Sequence, residues 1–155
     1  MQYASKFLTL AAVVVTSNVL VAGGFVLQIG NPSANPEAKA RHAVLVIRGY
    51  ACANPEKTTV KATAEGITNG KRETIPLKLI SLSGQSTYAI TRQWPAQGEW
   101  VLTLVASNPR FQWQPAEIVH VQGDSADFAN TQTLSHAPTA GEIEAALHTT
   151  AVASR

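Results

Sequence analysis

Ser86-Thr-Tyr-Ala-Ile-Thr-Arg-Gln-Trp94, then Pro95-Ala-Gln-Gly98, then Glu99-Trp-Val-Leu-Thr-Leu-Val-Ala-Ser107 is the stretch that decides the fold class of this 155-residue chain. Tyr88, Ile90 and Trp94 fall at even spacing on one face, and Trp100, Leu102 and Leu104 repeat the period of two after the break. Side chains alternate across a strand, so bulky residues at every second position mark strands with one face on a core. The short link with Pro95 and Gly98 predicts that the two runs form one antiparallel hairpin.

Working outward from it, His42 to Ala51 reads as a strand apolar on both faces, with Val44 and Val46 opposite Leu45 and Ile47. Cys52, the single cysteine, ends that strand on the face of Val44 and Val46 and is expected as an inert core or strand-end residue; no intrachain disulfide is possible. Thr58 to Glu65 alternates Val60, Ala62 and Ala64 with polar residues. Asn69-Gly70 tolerates positive φ at both positions and marks a tight turn. Lys71 to Leu82 follows as one strand, with Pro76 placing it at a sheet edge or marking a bulge there. Asn108 to Pro115 is a proline-bounded loop, Glu117 to Gln122 is the last strand, and Gly123 to Ala137 is polar and without period. Thr139-Ala-Gly-Glu142 has capping-box spacing ahead of Ile143, Ala146 and Leu147, which predicts a short helix over about 140–149 that must dock on something to persist.

These elements predict an all-β protein: an antiparallel β-sandwich of six or seven strands, immunoglobulin-like or transthyretin-like in topology, with a short C-terminal helix. The expected division is 1–40 as signal peptide or membrane anchor plus linker, 41–122 as the sandwich domain, and 123–155 as a polar tail. Lys6 precedes an apolar stretch from Phe7 to Ile29, the pattern of an export signal and also long enough to cross a bilayer. Ala38-Lys39-Ala40 offers small residues for cleavage, leaving Arg41 as the mature end. The chain is therefore expected to be exported, periplasmic or extracellular, touching a membrane only through residues 7–29 if they are retained.

Charged residues make up 14% of the chain and the formal net charge is +2, without the clustered basic face that nucleic acid requires. No zinc or haem spacing, nucleophile elbow or helical pair of histidines occurs, so no cofactor and no enzyme activity are indicated. Arg110, Phe111 and Trp113, two aromatics and an arginine in a proline-bounded loop, have the composition of a recognition patch, Phe111 and Trp113 equally that of residues folding back to close the open end of the sandwich, and Tyr50 is a further candidate contact. The expected partner is a protein or a cell-envelope component. A metal-binding alternative uses His42, one residue inside a mature Arg41 amine suited to Cu(II), together with His120.

The run Thr87-Tyr88-Ala89-Ile90, Trp94-Pro95, Gly98-Glu99-Trp100-Val101-Leu102-Thr103-Leu104 resembles the immunoglobulin-like accessory domains of exported bacterial proteins, including YtkA-like modules and carboxypeptidase regulatory-like (transthyretin-like) domains. The resemblance covers about 20 residues. It implies fold, compartment and a binding or accessory role, and it carries over no catalytic residue. The stretch from Gly123 to Ala137 and the terminal helix lie outside the resemblance.

Overall fold

The computed structural model describes residues 24–153. Among the described residues nine strands form two antiparallel sheets. In chain order they are β1 (Phe25–Gly30), β2 (Leu45–Ala51), β3 (Thr59–Thr68), β4 (Lys71–Pro76), β5 (Ile80–Ser81), β6 (Thr87–Ile90), β7 (Glu99–Ser107), β8 (Ala116–Gln122) and β9 (Ser125–Leu134), with helices α1 (Pro36–Ala40) and α2 (Ala140–Ala153). One sheet has the order β1-β2-β6-β5 and the other β4-β3-β7-β8-β9. The first eight strands thus follow the immunoglobulin order, A-B-E-D over C′-C-F-G, and β9 extends the second sheet.

The alternation places the core as expected. Leu45, Ile47, Ala64, Ile90, Trp100, Leu102, Leu104 and Val119 are fully covered between the sheets. Trp94 and Trp100 share that core. Small residues on β3, Ala62 and Ala64, leave room for the aromatics opposite. Asn69 and Gly70 turn β3 into β4 with φ of +51° and +74°.

The expected hairpin is instead a crossing between sheets. β6 is flanked by β2 and β5, and β7 by β3 and β8, so neither has a free side for the other. Residues 91–98 span the gap between layers, and Trp94, 3% exposed, plugs it from the loop. Trp100 then closes the corner: its Nε1–H donates to Gln97 O at 3.0 Å, as the corner tyrosine of immunoglobulin domains bonds back to upstream backbone.

Three further expectations are corrected. Lys71 to Leu82 is two strands in different sheets, parted just after Pro76, which cannot donate to a ladder. The stretch read as aperiodic contains β9, held by backbone pairing to β8 across a bulge between Ile118 and His120. The apolar residues Phe25 to Ile29, assigned to the export segment, form β1 in register with β2, and Phe25 is 2% exposed. A cut after Ala40 would remove Phe25, Leu27 and the fully buried Ala38, so the folded unit includes Phe25–Ala40 and does not begin at Arg41. The rest of the proposed signal or anchor, residues 1–23, lies outside the described residues. Among those described, no helix is long and apolar enough to cross a membrane.

The terminal helix docks on the outer face of the five-stranded sheet. Ala146 and Leu147 pack with Val101 and Ile118, flanked by Ile67, Leu134 and Ile143. The capping box forms, with Thr139 N–H donating to Glu142 Oε2 at 2.8 Å and Glu142 N–H to Thr139 Oγ1 at 3.3 Å. Arg72 reaches from β4 to both Glu65 (3.5 Å) and Glu144, and His148 lies 3.2 Å from Glu144, so a charged string borders the apolar contact.

Candidate functional site: the aromatic loop at the end of the sandwich

The β7–β8 connection is held from below by one residue. Asn108, 3% exposed, donates from Nδ2 to Asn54 O (2.8 Å), Thr58 Oγ1 (2.9 Å) and Ala53 O (3.3 Å), and its Oδ1 accepts the Arg110 N–H at 2.9 Å. With its amide fully engaged, the following turn is pinned, and Phe111 N–H bonds back to Asn108 O at 3.0 Å. The loop closes where Ala106 N–H donates to Pro115 O at 3.0 Å.

Above this base the aromatics stack onto β1. The Phe111 ring lies 5.3 Å from that of Phe25, and Trp113 meets Phe111 edge-on at 4.9 Å. Trp113 Nε1–H donates to Phe25 O at 3.1 Å, yet the side chain remains 44% exposed. Phe111 thus packs against the core, as an end-closing role requires, while Trp113 is oriented and open. Beside them a groove of about 450 Å³ is lined by Lys57, Thr59, Ser107, Phe111, Gln112 and Gln114, among others. Gln114 Nε2 donates to Ser107 Oγ at 2.8 Å. The groove offers amides, hydroxyls and one ammonium, a set suited to hydrogen bonding.

Arg110 projects from the same loop into solvent. Tyr50 does not join this surface. It stands on the outer face of β2, 46% exposed, with the Arg48 guanidinium 5.5 Å above its ring. The loop's ring contacts run through Phe25 instead. Phe25 was missed because its apolar neighbours resemble an export segment, although Phe25, Leu27 and Ile29 alternate as a strand does.

The metal alternative names two histidines carried by different parts of the fold. Arg41 lies inside the chain, its N–H donating to Ala38 O and Glu37 O as α1 closes. His42 sits exposed in the turn that follows, with φ of +53°. His120 is half-buried on the opposite sheet, across from Val101 and Asp127. Among the described residues no group of three or more His, Cys, Asp and Glu is placed to hold a metal ion. Cys52, expected in the core or at a strand end, lies just past the end of β2 and is exposed. Asp124 pairs with Arg92 at 3.3 Å, and Asp127 belongs to β9, where the Asn130 amide and the Ala129 and Asn130 N–H groups hold its carboxyl below the usual range.

One carboxylate is out of place. Glu117 points inward from β8 and is 6% exposed, with the Thr133 hydroxyl donating to it at 3.0 Å. Burial raises its pKa, and that single bond works against the rise. No family model matches the chain, and neither does any curated protein or solved structure.

Proposed function

We propose that this protein is a non-catalytic, exported binding or accessory module that contacts a protein or cell-envelope partner through Arg110, Phe111 and Trp113. The observation that carries the reading is Trp113: an indole fixed by a hydrogen bond and an edge contact, with 44% of its surface left to water. A large aromatic held in one orientation loses little entropy on binding, which is the property of an interface anchor. The adjoining groove supplies polar groups for a rim. Export rests on Lys6 and the apolar run after it, and on the likeness of Thr87 to Leu104 to accessory domains of exported bacterial proteins. Tyr50, on another face, is left out of the contact.

A photo-crosslinking residue at position 113, tested in the producing cell, checks the reading. A discrete adduct to a different protein or envelope component is expected, absent when the same residue replaces exposed Lys61. Identical labelling at both positions, or no adduct other than one with the mass of two copies, removes it.

A further inference from the structure

The four outermost strands treat their free edges differently. β4 carries Pro76 and the charged run Lys71-Arg72-Glu73. β5 has two residues, and the ladder of β9 is broken by its bulge. Each device discourages the addition of another strand. β1 has none of them. Its sequence, Phe-Val-Leu-Gln-Ile-Gly, lacks charge and proline, and its register is unbroken from Phe25↔Ala51 to Gly30↔Val46.

The phase of the β1–β2 ladder determines which backbone groups face outward. Cys52 N–H donates to Gly24 O at 3.2 Å, so Gly24, Val26, Gln28 and Gly30 turn their N–H and C=O toward β2. Phe25, Leu27 and Ile29 turn theirs away. Phe25 O accepts Trp113 Nε1–H. Among the described residues, the N–H and C=O of Leu27 and Ile29 have no partner.

We propose that a second copy of the chain occupies this edge, β1 antiparallel to β1 about a two-fold axis at Gln28. Leu27 of each copy then pairs with Ile29 of the other, and the open N–H and C=O of each meet those of its partner. The Trp113 bond to Phe25 ends the ladder on that side and so sets the register. Gln28, exposed on the outer face, opposes its own counterpart, and two primary amides are each donor and acceptor to the other. The edge presents only Val26 and Gln28 on that face, with no charge to select a foreign sequence, whereas an isologous contact needs only self-complementarity. The pairing stands apart from the partner reading of Trp113, which lies outside the ladder.

The test uses the full chain with Cys52→Ser, so that only an introduced thiol reacts. Gln28→Cys sets two thiols opposite each other at a non-hydrogen-bonded pair, where Cα atoms lie about 4.5 Å apart and a disulfide is allowed. Mild oxidation is expected to give a covalent dimer about tenfold faster than with Val26→Cys, which is off the axis on the same face. Gln28→Lys, placing like charges face to face, is expected to leave the protein folded and shift its sedimentation to monomer. Equal cross-linking at both positions, or a folded Gln28→Cys protein that stays monomeric, overturns the proposal. Slow, concentration-independent hydrogen exchange at the Leu27 and Ile29 amides also overturns it, because the edge would then be covered within one molecule.

Discussion

Gly66 lies against the indole of Trp100, its cross-strand partner: a Cβ at residue 66 would stand 2.3 Å from Trp100 Cδ2 and Cε3. The glycine on β3 makes the space that the corner tryptophan of β7 fills, and Trp100 is 1% exposed as a result. Gly66→Ala is expected to cost about 1–3 kcal/mol through overpacking. The same substitution in a Trp100→Leu background should cost less, and denaturant unfolding of the four proteins in a double-mutant cycle measures the difference. Additive losses would show that the contact is not what constrains residue 66.

Glu117 makes stability depend on pH in an unusual sense. An unfolded glutamate titrates near about 4.3, and burial in the fold raises that value. The folded state therefore binds the proton more tightly. The contribution of Glu117 is complete below the unfolded value and is lost as pH rises through the folded one. Glu117→Gln is expected to raise the thermal midpoint at pH 7, with the gain shrinking to nothing near about pH 4. A constant difference across that range, or a loss at pH 7, would contradict the assignment.

Leu147 is fully buried, but it packs on the outer face of the sheet rather than between the layers. Leu147→Ala is expected to cost about 2–5 kcal/mol where α2 docks. Circular dichroism should show helix loss at temperatures where the fluorescence of buried Trp94 and Trp100 is still native. Coincident loss of both signals would make α2 part of the cooperative core.

Asn108 links the candidate site to the scaffold. Asn108→Ala strips the amide bonds to Ala53, Asn54 and Thr58, and is expected to cost about 1–3 kcal/mol while weakening any Trp113-dependent binding. Trp113→Ala, at a site 44% exposed, should abolish binding with a stability change within about 1 kcal/mol. Calorimetry of the two variants separates orientation of the loop from contact.

The candidate site was half legible. Arg110, Phe111 and Trp113 announce a recognition loop by composition, but their support comes from distant positions. Phe25 lies in an apolar run that reads equally as a bilayer segment, and Asn108 looks like any loop asparagine until its amide is seen in three hydrogen bonds. Tyr50 was grouped with the loop by residue type alone, and the outward parity of β2 puts it on another face.

The sequence by itself determined the buried faces, the Asn69-Gly70 turn, the break in the ladder that Pro76 imposes and the Thr139–Glu142 cap. Each is a local matter of side-chain period, φ or a missing donor. Only the tertiary structure decided which strands lie side by side. A period of two says which way a residue points and nothing about its neighbour, so β6 and β7 read as a hairpin although they belong to opposite layers. β1 and β9 emerged the same way, because their places are set by backbone bonds to β2 and β8, which every sequence can make and none advertises.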